Sequence, residues 1–88
     1  PPPNQPPPPD NLPEPIRVII NYNGVINWGS EEVSRAVLEE RFKVEAQRDV
    51  QPEIHIEPDR DAQYGVVAHV MAAAQRNGLK KMGVIGGT

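Results

Sequence analysis

The chain has 88 residues, eleven of them proline, no cysteine, and a formal net charge of −3. That length supports one small domain with a modest core. The missing cysteines exclude disulfides, thiolate metal sites and cysteine nucleophiles, and the acidic balance offers no field for nucleic acid or anionic lipid.

Pro1 to Pro15 ("PPPNQPPPPDNLPEP") holds most of the prolines. Proline fixes φ and removes the backbone donor, so this segment reads as an extended polyproline II linker of about 45 Å reach, not as part of a core. Its PxxP spacings also suit an aromatic-lined groove, although any proline-dense tract contains them. The domain proper is expected over residues 16–88. The chain opens on Pro rather than Met and reads as a fragment whose preceding segment, a membrane anchor for instance, is not seen. The longest apolar run, Gly65 to Ala74, is interrupted by His69 and is far shorter than the roughly 20 residues of a membrane span.

"IRVIINYNGVINWG" places Ile16, Val18, Ile20 and Tyr22 on one face at period two. Asn23-Gly24 predicts a type I′ hairpin turn, which needs positive φ at both central residues. "VINW" is then the returning strand. "SEEVSRAVLEERFKVEAQ" predicts a helix with Ser30 as N-cap and Glu31 and Glu32 at the positive end of its dipole. Val33, Ala36, Val37 and Val44 form its apolar side, widened by Leu38 and Phe42. Glu31 with Arg35 and Glu39 with Lys43 are i,i+4 pairs on the wet face.

"EIHIE" (Glu53 to Glu57) predicts a short strand with Ile54 and Ile56 inward and His55 outward, stopped by Pro58. A second helix is expected to start between Asp61 and Tyr64, with Tyr64, Val67, Val70, Met71 and Ala74 as its buried stripe and Gly78 as its C′ residue. "KKMGVIGG" closes as a strand in which Met82 and Val84 alternate with Lys81 and Gly83. The order ββαβαβ predicts an α+β two-layer sandwich: a mixed four-stranded sheet with both helices on one face. The closing strand and the first hairpin are the candidate sheet edges, and an apolar edge recruits other chains.

The polar residues support little chemistry. His55, Glu57 and Asp59 could contribute to a zinc or acid–base site, but His69 lacks the helical partner of an HExxH pair and the ligand set is short. Asp59 and Asp61 lack the glycine and bidentate glutamate of a calcium loop, and suit turn and N-cap roles. Tyr64 suits the head of a buried stripe better than a catalytic phenol. Trp28 fits core or dimer packing, or stacking on a ligand. No phosphate-binding, dinucleotide-binding or nucleophile-elbow motif is present. The reading is of a non-enzyme without cofactor or metal; a small α+β enzyme or binding domain of another kind is the remaining alternative.

Two strings, "VIINYNGVINWG" and "IHIEPDRDAQYGVVAHVM" followed by "QRNGLKKMGVI", together resemble the periplasmic domain of the ExbD/TolR family over roughly Ile16 to Ile85. Pro58 stands where the family often has a small residue, and Ala62 where a larger β-branched one is common. The resemblance implies a part of a proton-motive-force-driven motor in the inner membrane of a Gram-negative bacterium. It implies a homodimer within an ExbB-like channel subunit ring, working on a TonB-like protein for outer-membrane transport. The family's proton-bearing Asp lies in a membrane helix outside these residues. The TolR-like alternative implies a TolA-like partner and peptidoglycan binding for envelope integrity. Contact with a partner or a second copy is expected at Asp59, Tyr64, Met82, Val84 and Ile85, with strand addition along Met82 to Ile85, or along an edge created by strand exchange between two copies, as the mechanism.

Overall fold

The computed structural model describes residues 13–86. The expected linker therefore lies outside the described residues except for Pro13–Pro15, which join no regular element. The elements run β1 (Ile16–Ile20), β2 (Ile26–Trp28), β3 (Glu31–Val33), α1 (Arg35–Ala46), β4 (Ile54–Pro58), α2 (Tyr64–Arg76) and β5 (Met82–Val84). This is an α+β fold whose mixed sheet has five strands, not four, in the order β3-β2-β1-β4-β5.

The additional strand is the first turn of the expected helix. Glu31–Val33 pairs antiparallel with β2, setting Trp28 opposite Glu31 and Ile26 opposite Val33. Gly29 (φ +66) and Ser30 make the two-residue connection, with glycine at the first position, as a type II′ turn requires. Ser30 is thus a turn residue, and Ser34 is the N-cap of α1: its Oγ accepts from Val37 N–H at 3.1 Å. The Asn23-Gly24 turn also differs from expectation. Gly24 alone has positive φ (+87), and its N–H donates to Asn21 C=O at 3.0 Å while Asn21 N–H donates to Val25 C=O at 2.9 Å. That is a three-residue loop closed by a left-handed glycine, which accommodates the strand twist without straining Asn23. Tyr22 sits in this loop, 65% exposed, and not on the strand's buried face.

β1 lies at the centre, antiparallel to β2 and parallel to β4; β4 is parallel to β5. Residues at period two divide the sheet into two faces. Val18, Ile20, Ile26, Val33, Ile54 and Ile56 are buried beneath the helices, while Arg17, Asn27, Glu32, His55, Glu57 and Gly83 form the open face. α1 contributes Leu38 and Phe42, both fully buried, to the core. Val37 and Val44, assigned to the buried side from their spacing, are 40% and 59% exposed. The larger apolar areas of Leu38 and Phe42 determine which side of a weakly amphipathic helix turns inward. α2 contributes Val66, Val67, Val70, Ala73 and Ala74, small side chains that let it lie close on the sheet.

α2 ends in a Schellman closure: Leu79 N–H donates to Ala74 C=O and Gly78 N–H to Gln75 C=O, both at 3.0 Å, with Gly78 at φ +89. The motif buries Leu79 and turns the chain towards β5. Glu39 of α1 accepts from Arg76 and from Asn77 Nδ2 (2.7 Å), joining the two helices. Neither i,i+4 pair expected on α1 forms; Glu31 and Glu39 serve tertiary contacts instead.

Candidate functional site

Three of the candidate residues come together and two do not join them. Met82, Val84 and Ile85 lie along one edge of the sheet. Asp59 and Tyr64 occupy the corner beyond the C-terminal end of β4.

The corner is built by backbone chemistry. Asp59 N–H donates to Ile20 C=O at 2.7 Å, extending the β1–β4 pairing by one bond. Asp59 Oδ1 accepts from Asp61 N–H (2.9 Å) and its carbonyl accepts from Ala62 N–H (2.9 Å), an Asx turn inside a β-turn. Asp61 does not cap α2; the N-cap is Gln63, without a side-chain cap bond. Tyr64, placed in the buried stripe from its spacing, is 82% exposed. The stripe starts at Val66, whose side chain lies 4.0 Å from the position a Cβ on Gly24 would take.

On the open face, His55 Nε2 lies 2.9 Å from Glu53 Oε1, and Glu57 accepts two bonds of 2.8 Å from Arg17. The Arg17 bond and charge hold the Glu57 carboxyl below its ordinary range, and Glu57 raises Arg17 in turn. Among the described residues no three His, Asp or Glu side chains converge as metal ligands would. His55, Glu57 and Asp59 are thus engaged with separate partners.

The edge is positioned by three devices. The Schellman turn aims the chain. Gln51, a residue that motif reading missed, then ties the junction: its Nε2 donates to Ala46 C=O (3.1 Å) and Gly78 C=O (3.0 Å), while its Oε1 accepts from Lys80 N–H (2.9 Å). A lone glutamine in a connector carries no sequence signal for this role. Finally β4 holds β5, with Ile54 N–H donating to Lys81 C=O (2.7 Å) and Ile85 N–H to Ile56 C=O (2.8 Å).

These two bonds fix which backbone groups face outward. In a parallel ladder, alternate residues turn their N–H and C=O to the same neighbour. Residues 81, 83 and 85 address β4, so Met82 and Val84 present two donors and two acceptors away from the sheet. Met82 packs partly on the core, and Val84 and Ile85 are 46% and 45% exposed. Among the described residues these outward backbone groups have no partner, and short apolar edges of this kind are where sheets add strands.

Fold and edge together describe a small α+β domain with a short apolar strand at one edge of its sheet. The family model "Biopolymer transport protein ExbD/TolR" matches residues 1–86, and the chain belongs to that family. The chain is similar to the biopolymer transport protein exbD2 of Xanthomonas campestris pv. campestris, at 34% identity over 82 residues, 91% of this chain and 60% of the relative. It is similar also to the exbD1 proteins of two strains of the same pathovar, at 27% identity over 81% of this chain and 51% of each relative. It thus spans between half and two thirds of the length of these relatives. No described helix is long and apolar enough to cross a membrane.

Proposed function

We propose that this domain is the periplasmic part of an ExbD-like stator subunit in a proton-motive-force-driven inner-membrane motor. In this reading it passes work to a TonB-like protein, for transport across the outer membrane, by accepting an extended segment of that protein along β5. It performs no catalysis of its own. The Pro-rich tract is the tether to a membrane helix held by an ExbB-like channel subunit, and a second copy completes a homodimer.

The outward backbone groups of Met82 and Val84 carry this reading. Main-chain hydrogen bonds supply affinity for any extended partner, and side chains on the two faces supply selectivity. The names of the curated relatives favour the ExbD-like role over the TolR-like one, with its TolA-like partner and peptidoglycan binding.

Chemical-shift mapping with a peptide from the linker of the TonB-like partner tests the reading. Shifts centred on Met82 to Ile85 and on their β4 neighbours are expected. Shifts confined to α1 and α2 would sink it. Pull-down on purified cell-wall sacculi addresses the TolR-like role separately.

A further inference from the structure

Gly83 stands in the middle of β5, and nothing in the fold requires a glycine there. Its φ lies outside the positive region occupied by Gly24, Gly29, Gly78 and Gly86. A Cβ built on it meets no atom within 4 Å. Glycine weakens a strand interior, because it loses more backbone freedom and offers no side chain to pack.

The missing side chain leaves a gap on the open face. Gly83 is the register partner of His55 on β4, which is itself opposite Arg17 on β1. Lys81 and Ile85 flank Gly83 two residues either way on the same face, and Glu53 flanks His55. Together Glu53, His55, Lys81, Gly83 and Ile85 line a recess of about 350 Å3, open to solvent. A strand added beyond β5 would place its nearest open-face residue two strand spacings from His55, roughly 10 Å. Small side chains leave that span empty, whereas a large flat ring leaning across a glycine fills it, as in the aromatic cover of edge glycines.

We infer that Gly83 is a specificity notch: the segment accepted along β5 carries an aromatic residue that lies over Gly83 against His55 and Ile85. This rests on the reading of β5 as a strand acceptor and states what that acceptor selects. The neighbours complete the pattern. The residue opposite Lys81 is acidic, by charge complementarity. The residue opposite Ile85 is apolar, and those opposite Met82 and Val84, on the helix face, are apolar too. The accepted sequence is therefore acidic, apolar, aromatic, apolar, apolar, read in whichever direction the segment runs. No stretch of these 88 residues carries that pattern in either direction. The proposed occupant is a segment of that chemistry on a different chain, since these 88 residues do not supply it.

The test titrates the 88-residue chain with Thr-Glu-Val-Trp-Val-Val-Thr and with the same peptide carrying Ala in place of Trp. Each is also made in reverse order, so that both strand directions are offered. Amide shifts and affinity are read by NMR on the native chain and on Gly83→Val and Gly83→Ala. In one order the Trp peptide should bind about tenfold more tightly than the Ala peptide, the scale of a well-packed aromatic contact. Gly83→Val should reduce that advantage below about twofold, with Gly83→Ala between, while the Ala peptide binds all three chains alike. Both variants should fold, since the added atoms enter open space.

Equal affinity for Trp and Ala peptides, with shifts on β5, overturns the notch and leaves the strand acceptor standing. An advantage that survives in Gly83→Val also overturns the notch. No shift with these peptides, while the TonB-like partner's peptide does shift β5, overturns the pattern. Absence of shifts on β5 with either set overturns the acceptor reading as well. Concentration-dependent β5 shifts without peptide, unrelieved by the Trp peptide, make a second copy the occupant and overturn the inference.

Discussion

The two edges of this sheet are both three residues long, and they are finished in opposite ways. β3 is sealed. Its Glu31 carboxylate takes two bonds, 2.9 and 3.0 Å, from Arg41 of α1. The same guanidinium lies 5.7 Å from the Trp28 ring, and Trp28 meets Phe42 at 5.7 Å and 54°. Glu31 and Glu32 place two exposed negative charges along the strand, a common guard against edge-to-edge pairing. β5 itself is Met, Gly and Val, and its flanking charges are the two lysines, Lys80 and Lys81, at its start. The acidic edge at β3 and the apolar one at β5 are thus unequal hosts for an added strand, which is why the proposed site is placed on β5.

The largest expected contrast between the edges is in stability. Phe42→Ala removes the fully buried ring beneath Trp28 and should cost about 3–5 kcal/mol in urea unfolding. Val84→Ala, at the other edge, removes a side chain that is 46% exposed, and should change stability by no more than about 0.5 kcal/mol. Equal losses would mean that β5 is as firmly packed as the Trp28–Phe42 side of the sheet, and the contrast would fail.

Binding should show the reverse order. Val84→Pro deletes an outward N–H while leaving the bonds of residues 81, 83 and 85 to β4 in place. The partner peptide should then bind at least about tenfold more weakly, the cost of a lost backbone donor and its surrounding fit. Unchanged affinity by calorimetry would move the site off β5.

A smaller effect should sharpen the β3 side alone. Glu31→Gln weakens the Arg41 clamp, so amides of β3 should exchange faster with solvent while those of β5 stay as they were. Faster exchange at both edges would show that the clamp acts on the whole sheet.

The smallest effect is that of acid. The bonds and charges of Arg41, Arg76 with Asn77, and Arg17 hold the carboxyls of Glu31, Glu39 and Glu57 below the ordinary glutamate range. A lowered folded value means that the unfolded chain binds more protons in the window between the two values, so stability rises with pH there. This contribution is fully present above the ordinary glutamate range and is lost as pH falls through the folded values. The groups are exposed, so solvent and salt reduce it. Unfolding midpoints measured down the acid range should fall, with β3 amides losing protection before β5.

Local patterns were legible where local forces decide. Ile54 and Ile56 alternate with His55, and Val67, Val70 and Ala74 recur at helical spacing; both elements form where expected. Gly78 ends α2 because only a left-handed residue closes its last carbonyls cheaply. The errors fell where two local readings competed. Gly29-Ser30 is a turn signal as well as a helix start, and Glu31–Val33 suits a first helical turn as well as a strand. Pairing with β2 resolved it, because Val33 as a strand residue reaches the core beside Ile26. Tyr64 stood one turn too early in its helix to meet the sheet.

The sequence by itself determined the β–α alternation, the buried period-two faces, the corner at Asp59 and the family, because each is written in residues close together along the chain. Tertiary structure alone decided the fifth strand, the inward face of α1, the roles of Glu31, Glu39 and Gln51, and the difference between the two edges. Those depend on which distant backbone groups find partners, and no spacing along the chain records that the outward groups of Met82 and Val84 have none among the described residues.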